Sequence, residues 1–279
     1  MPAPPQLPIS LPMSPQVFTI LSGLVGEHLG LHFEPANAGI FAEKVGARAV
    51  EAGFESLLDY YYFLRYDPGS AQELERLAEA LVVGETYLFR ELPPLQTAVA
   101  NLIAPRVSAG GRPRMWCAAS STGEEPHTLA MLLASQGLLA DVELVASDVS
   151  AAALARARTG RFGRRALRAE VPPFADRWLA IDDGGVSVRG GLTESIDWRR
   201  INLVDVAAVD ALGTFDVIFC RNVLIYFSDD SVRRVVERLA GRLRPGGALF
   251  VGVSESLLRF GTSLRCEEVN GVFLYRRAS

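Results

Sequence analysis

Apolar residues recur every three or four positions through the first third of the chain. Behind Ser14 and Pro15, a cap followed by a first-turn proline, Val17, Ile20, Leu21, Leu24 and Val25 share one face before Gly30. A second such face runs through Phe41, Val45 and Ala49, and "FESLLDYYYFLRY" and "SAQELERLAEALVV" supply two more. The last opens with Ser70 and Glu73, the S-x-x-E spacing that predicts a capping box. Residues 14–83 therefore read as an all-helical domain, behind a proline-broken lead-in over 1–13 that is expected to be disordered.

Beyond residue 112 the period changes. The runs "RPRMWCAA", "DVELVASD", "TFDVIFCR" and "GGALFVGV" alternate with helical stretches near 125–137, 150–159 and 229–243, which predicts parallel strands joined by crossover helices. "SLRCEEVN" and "GVFLYRRA" flank a turn signal and predict a closing hairpin at the sheet edge. Within this α/β domain, 113–279, residues 171–200 carry Asp183-Gly184-Gly185 between short alternating segments, a small inserted β-subdomain. The stretch 84–112 reads as a linker whose first residues, "GETYLFRE", are placed to line a cleft.

Composition narrows the class. With 279 residues, 49% hydrophobic and 22% charged, the chain can build two ordinary globular domains. A net charge of −4 argues against nucleic acid as the main partner, and no apolar run is long enough to insert in a membrane. The start of the chain has no basic n-region, so the cytoplasm is the expected location. Cys117, Cys220 and Cys266 lack C-x-x-C spacing and suit buried thiols, and no metal site is expected.

The chemistry concentrates at "WCAASSTGEEP". A glycine turn between strand and helix usually cradles phosphate, but Glu124 and Glu125 follow Gly123 and would repel it. Such a turn suits a cationic ligand, or else the glutamates merely cap a helix. Asp148 closes the next strand twenty-five residues on, where nucleoside-binding folds place an acid for ribose hydroxyls; a lone aspartate there is more often an N-cap. "FDVIFCRNVLIYF" puts Arg221, Asn222 and Tyr226 on the same side, with a half-buried aromatic as the plainer account of Tyr226.

Together "GETYLFRE", "WCAASSTGEEP", "ASDVSAAALARARTGRF", "INLVD", "FDVIFCRNVLIYF" and "LRPGGALFVGVSES" resemble, in order and spacing, the CheR-type chemotaxis-receptor glutamate methyltransferases, over about 14–276. The resemblance implies a Rossmann-like α/β domain for S-adenosylmethionine with a β-subdomain inserted in it, behind an all-α N-terminal domain. It implies methylation of glutamate carboxylates on a chemoreceptor or related coiled-coil sensory protein. By motif, Gly84, Thr86, Arg90, Gly123, Glu125, Asp148, Asn202, Leu203, Arg221 and Asn222 would contact the cofactor. Arg90 and Tyr226 would serve catalysis, Arg90 facing the reacting carboxylate and Tyr226 the methyl group.

Several positions depart from the family pattern. Gly84 stands where asparagine is usual, Leu88 where phenylalanine is, His127 where tyrosine is common, and Val253 in place of a frequent histidine. The second helix, strongly basic in family members, offers only Lys44 and Arg48 against Glu43 and Glu51. The compact "IDDGGVSV" turn predicts recognition that does not depend on a receptor tail. Gly84 and the weakened basic helix motivate a rival reading, a non-catalytic cofactor-binding signalling or scaffold module. The six arginines of 156–168 are either a contact surface or, on the general rule for charge runs, a solvated helix face.

Overall fold

Ser14 accepts the Val17 N–H at 3.2 Å and so starts α1 (Pro15–Leu29), which ends where Gly30 turns left-handed. With α2 (Ala38–Glu51), α3 (Leu57–Tyr66) and α4 (Ala71–Leu81) it encloses a core of Leu21, Leu24, Phe41, Val45, Tyr60, Leu64 and Leu77. This computed structural model describes residues 11–168 and 170–278. The first ten residues of the expected lead-in lie outside the described residues; Leu11, within that lead-in, is buried in the helical core. The chain divides into two units, the one just described, which takes the chain up to Val83 together with Tyr226–Ser231, and a second that takes the rest.

The capping box does not form. A 3-10 turn, Pro68–Ser70, runs straight into α4, and the Ser70 side chain makes no capping bond. Glu73 turns inward instead, where Arg48 donates to it at 2.5 and 3.0 Å and the Tyr60 hydroxyl at 2.8 Å. Burial and the hydrogen bond to Glu73 push the Tyr60 phenol well above its ordinary range.

In the second unit β1 (Arg114–Ala118), α7 (Glu124–Ser135), β2 (Glu143–Asp148), α8 (Ala151–Ala157), β7 (Phe215–Cys220), β8 (Leu243–Phe250) and the helix Asp229–Arg242 fall where the periodicity predicts, the first three residues of that helix counting with the helical unit. The seven-stranded sheet has the order β6-β2-β1-β7-β8-β10-β9, with β6 (Ile196–Arg200), β9 (Arg265–Val269) and β10 (Val272–Arg276) completing it. Five strands run parallel and the β9–β10 hairpin adds antiparallel at one side. All six residues of β7 are buried, as a central strand covered on both faces requires.

Two elements differ from expectation. Ile196–Arg200, the end of the predicted insertion, pairs in parallel with β2 as an edge strand of the main sheet. Its burial fades from Ile196 to two exposed arginines, so no strand period was visible. The subdomain that remains is a three-stranded sheet of β3 (Arg161–Phe162), β5 (Gly185–Val188) and β4 (Leu179–Asp182). In the predicted linker, α5 (Leu92–Ala98), a π turn (Val99–Ile103) and α6 (Ala104–Ser108) form a nearly continuous helix. Prolines at 93, 94 and 105 mimic a breaker, but the first two sit in an opening turn that needs no N–H, and the wider turn precedes the third.

Candidate active site

The strand order reverses between β1 and β7, and ligands of open parallel sheets bind beyond the strand C-termini at such a switch point. Ala118 and Cys220 are paired there, followed by the turn Ala119–Gly123 and by Arg221–Asn222. The backbone is strained around this point. Phe89, Glu91, Ala119, Ser121 and Asn222 have positive φ, and among the described non-glycine residues only Asn270, in the β9–β10 turn, joins them. Strain of this kind, about 1–3 kcal/mol per residue, persists where the surroundings hold it.

Arg221 organises the polar groups. Its side chain is 2% exposed and donates to Glu125 at 2.7 Å, to Glu91 Oε2 at 2.9 Å and to the Arg90 carbonyl at 3.0 Å. Burial raises the Glu125 carboxyl above its usual range against the opposing pull of Arg221. For Glu91 burial acts upward too, but the hydrogen bond and charge of Arg221 outweigh it and hold the carboxyl low. Glu124, with a Thr122 hydroxyl donating at 2.7 Å, is raised by burial. The acidic pair of the turn is thus not bare: Glu125 is shared with Arg221, and Glu124 with Thr122.

The predicted site residues take distinct places. Asp148 accepts the Ser121 N–H at 2.8 Å and the Ser150 N–H at 2.9 Å, so its carboxylate ties the β1 turn to the start of α8. Gly123 has φ +93°, and a Cβ there would lie 2.7 Å from Ala157 Cβ and 2.9 Å from Trp198, so packing against α8 and β6 demands glycine. Gly84 is exposed and its carbonyl accepts from the Ser121 hydroxyl at 3.3 Å. Thr86 is half-buried, and the Arg90 guanidinium donates to the Glu85 carbonyl at 3.1 Å and lies 5.6 Å from the Tyr87 ring centre. Asn202 accepts the Val204 N–H, and buried Leu203 follows it. Tyr226 belongs to the helical unit, packed at the edge of its core with its carbonyl accepting the His32 N–H at 2.8 Å.

Two organising residues were not singled out from the sequence. Glu91 accepts from Arg221, from Asn222 Nδ2 at 3.4 Å and from the Val253 N–H at 3.4 Å. Glu255 accepts backbone N–H groups of Asn222 and Gly252 at 2.7 Å and of Ile225 at 3.2 Å, fixing the left-handed Asn222. Each lies in a quoted motif, "GETYLFRE" and "VSES", yet a glutamate that accepts backbone donors is indistinguishable in sequence from a solvated one. Ser120, at the β1 end, keeps a buried hydroxyl with no partner among the described residues.

His127 packs fully buried between the Phe162 and Trp198 rings, its Nδ1–H donating to the Gly123 carbonyl at 2.6 Å and its Nε2 3.0 Å from the Thr193 hydroxyl. Desolvation lowers it to about 4. A depressed folded pKa gives stability that is full above the unfolded value near 6.5 and is lost as pH falls towards the folded one. His127→Gln should therefore remove a pH-dependent loss of about 1.4 kcal/mol per unit between about 6.5 and 4, read as the difference between wild-type and variant urea midpoints.

Among the described residues no helix is long and apolar enough to cross a membrane, and no cluster could hold a metal. Residues 84–272 match the family described as CheR methyltransferase, SAM binding domain. Chemotaxis protein methyltransferase 2 of Vibrio cholerae is 33% identical over 239 residues, 84% of this chain and 83% of its own. A chemotaxis protein methyltransferase of Vibrio parahaemolyticus is 37% identical over 217 residues, 75% of this chain and 78% of its own. A probable biofilm formation methyltransferase, WspC, of Pseudomonas putida is 35% identical over 255 residues, which span 90% of this chain but 59% of that protein.

Proposed function

Because the chain belongs to the CheR methyltransferase family, and so is a methyltransferase that uses S-adenosylmethionine, we propose that it esterifies glutamate side chains of a chemoreceptor or related coiled-coil sensory protein. The observation that carries this reading is the set of acidic acceptors at the β1 and β7 ends. Three carboxyl groups, those of Glu91, Glu125 and Glu255, are held by hydrogen bonds from Arg221 and Asn222, and a fourth, that of Asp148, by the Ser121 and Ser150 N–H groups.

That set fits the cofactor. Acidic groups and the partnerless Ser120 hydroxyl suit a ligand with a cationic centre and with amino and hydroxyl donors. We assign Glu125 and Asp148 to its amino and ribose groups, and Gly84, Thr86, Arg90, Asn202, Leu203, Arg221 and Asn222 to the rest of its wall. Gly123 contributes by shaping the turn. When bound, S-adenosylmethionine supplies an electrophilic methyl on a sulfonium.

The protein's remaining task is positioning. A glutamate with a pKa near 4.3 is ionised at neutral pH and needs no general base. Arg90 orients the acceptor carboxylate through its fork of N–H donors. Tyr226 is assigned to catalysis by its motif alone. Excluding water and aligning the reactants can supply roughly 7–11 kcal/mol.

The test is incubation with radiolabelled cofactor and a chemoreceptor cytoplasmic fragment. Base-labile label in the fragment is expected, and its absence with cofactor bound would refute the acceptor assignment. Asp148→Ala should weaken cofactor binding about tenfold or more in calorimetry, both by losing a ligand contact and by freeing the Ser121 and Ser150 N–H groups. Unchanged affinity would remove Asp148 from the site.

A further inference from the structure

Between residues 156 and 168 the chain carries six arginines and no acid, while its net charge is −4. All six, Arg156, Arg158, Arg161, Arg164, Arg165 and Arg168, are exposed. Arg158 donates to the Trp198 carbonyl and Arg164 pairs with the fully exposed Asp183. Arg156, Arg161 and Arg165 make no side-chain hydrogen bond or ion pair among the described residues. Arg156 interacts electrostatically with Glu124, while the exposed Arg161 and Arg165 leave positive charge open to an external anion.

The run ends beside the candidate active site. Arg168 donates to Glu85 at 2.8 Å and lies 4.6 Å over the Tyr87 ring, which Arg90 also approaches, at 5.6 Å. The two guanidinium groups thus share one aromatic ring, and the arginine run continues from it through the 3-10 turn Arg164–Ala166 and β3 to the end of α8.

The helical unit carries the opposite balance. Residues 11–83 hold ten acids against Lys44, Arg48, Arg65 and Arg76. Each of these cations is engaged: Lys44 with the Leu81 carbonyl, Arg48 with Glu73 and Glu51, Arg65 with Glu27 and Arg76 with Glu73. Unpaired positive charge is therefore found in the run of 156–168 and not on the first four helices.

We propose that this arginine face is the docking surface for an acidic segment of the methyl-accepting protein. The inference rests on the protein-glutamate reading above. A segment that offers glutamates to the site also offers the charge complement of the face, and surface charges of this kind speed encounter and set register in a salt-dependent way.

The test is Arg161→Glu with Arg165→Glu, two partnerless residues outside the cofactor site. The acceptor is a chemoreceptor cytoplasmic coiled-coil fragment bearing its methylatable glutamates. At low salt the KM for the fragment should rise tenfold or more, with kcat and the calorimetric cofactor Kd within twofold. The wild-type decline of kcat/KM with salt should flatten. Changing acids that flank the methylated glutamates to lysine should weaken wild type and leave the double variant unaffected. If the double variant lost cofactor binding, the neutral pair Arg161→Gln and Arg165→Gln would replace it, with a smaller rise expected. Unchanged KM and salt slope would overturn the surface while leaving the protein-glutamate activity standing. A wild-type protein that binds cofactor yet never labels the fragment would overturn both.

Discussion

Replacing Arg221 by methionine should lower stability by about 3–5 kcal/mol, the cost of leaving buried carboxylates without their cation. The size follows from the geometry: one guanidinium, 2% exposed, satisfies Glu125, Glu91 and the Arg90 carbonyl together. Without it Glu125, already raised by burial, rises further and takes a proton. A carboxyl whose folded pKa is raised contributes stability present at low pH and lost as pH rises through that pKa. The deficit of the variant should accordingly narrow as pH is lowered in urea unfolding. Cofactor binding should be lost, because Glu91 and Glu125 lose the group that fixes them. A deficit below about 1 kcal/mol, or one independent of pH, would contradict the organising role.

Arg90→Ala should lower turnover by about 10²–10³-fold, equivalent to roughly 3–4 kcal/mol of transition-state stabilisation, with cofactor affinity changed only a few-fold. Arg90 is held rather than free: its guanidinium donates to the Glu85 carbonyl and lies near Tyr87, and the left-handed Phe89 and Glu91 flank it. Its aim therefore costs little ordering when an acceptor arrives. Arg90→Lys should not restore turnover, since a point charge cannot hold two oxygens in a plane. Near-normal turnover in single-turnover assays of Arg90→Ala would assign the orientation of the acceptor elsewhere.

How legible the protein is depends on where each signal resides. The strands β1, β2 and β7 are visible because continuous apolar runs between polar turns have few alternatives. Strand β6 is not, since its pairing with β2 is made by backbone groups and its side chains end in exposed arginines. The helix at 92–108 hides behind prolines whose effect depends on their position within a turn.

The site shows the same division. Arg221 and Asn222 are readable as polar residues just past a strand end, Asp148 as the acid that closes one, and Glu125 as part of the acidic turn after β1. The partners that orient them, Glu91 and Glu255, are readable only once the chain is folded, because both act on groups distant along the chain. Ser70 and Glu73 give the reverse lesson. Their spacing matches a cap, but Arg48 and Tyr60 offer Glu73 buried partners that a solvent-exposed cap cannot match.

By itself the sequence determined two folding textures, the ends of the central strands and the acidic turn after β1, because periodicity and turn chemistry are local. The tertiary structure alone decided that this acidic turn is locked to Arg221 and that the cations of the first four helices are engaged within their own unit. Such pairings join residues tens of positions apart, and which charges meet and which stay open to a partner is set by packing.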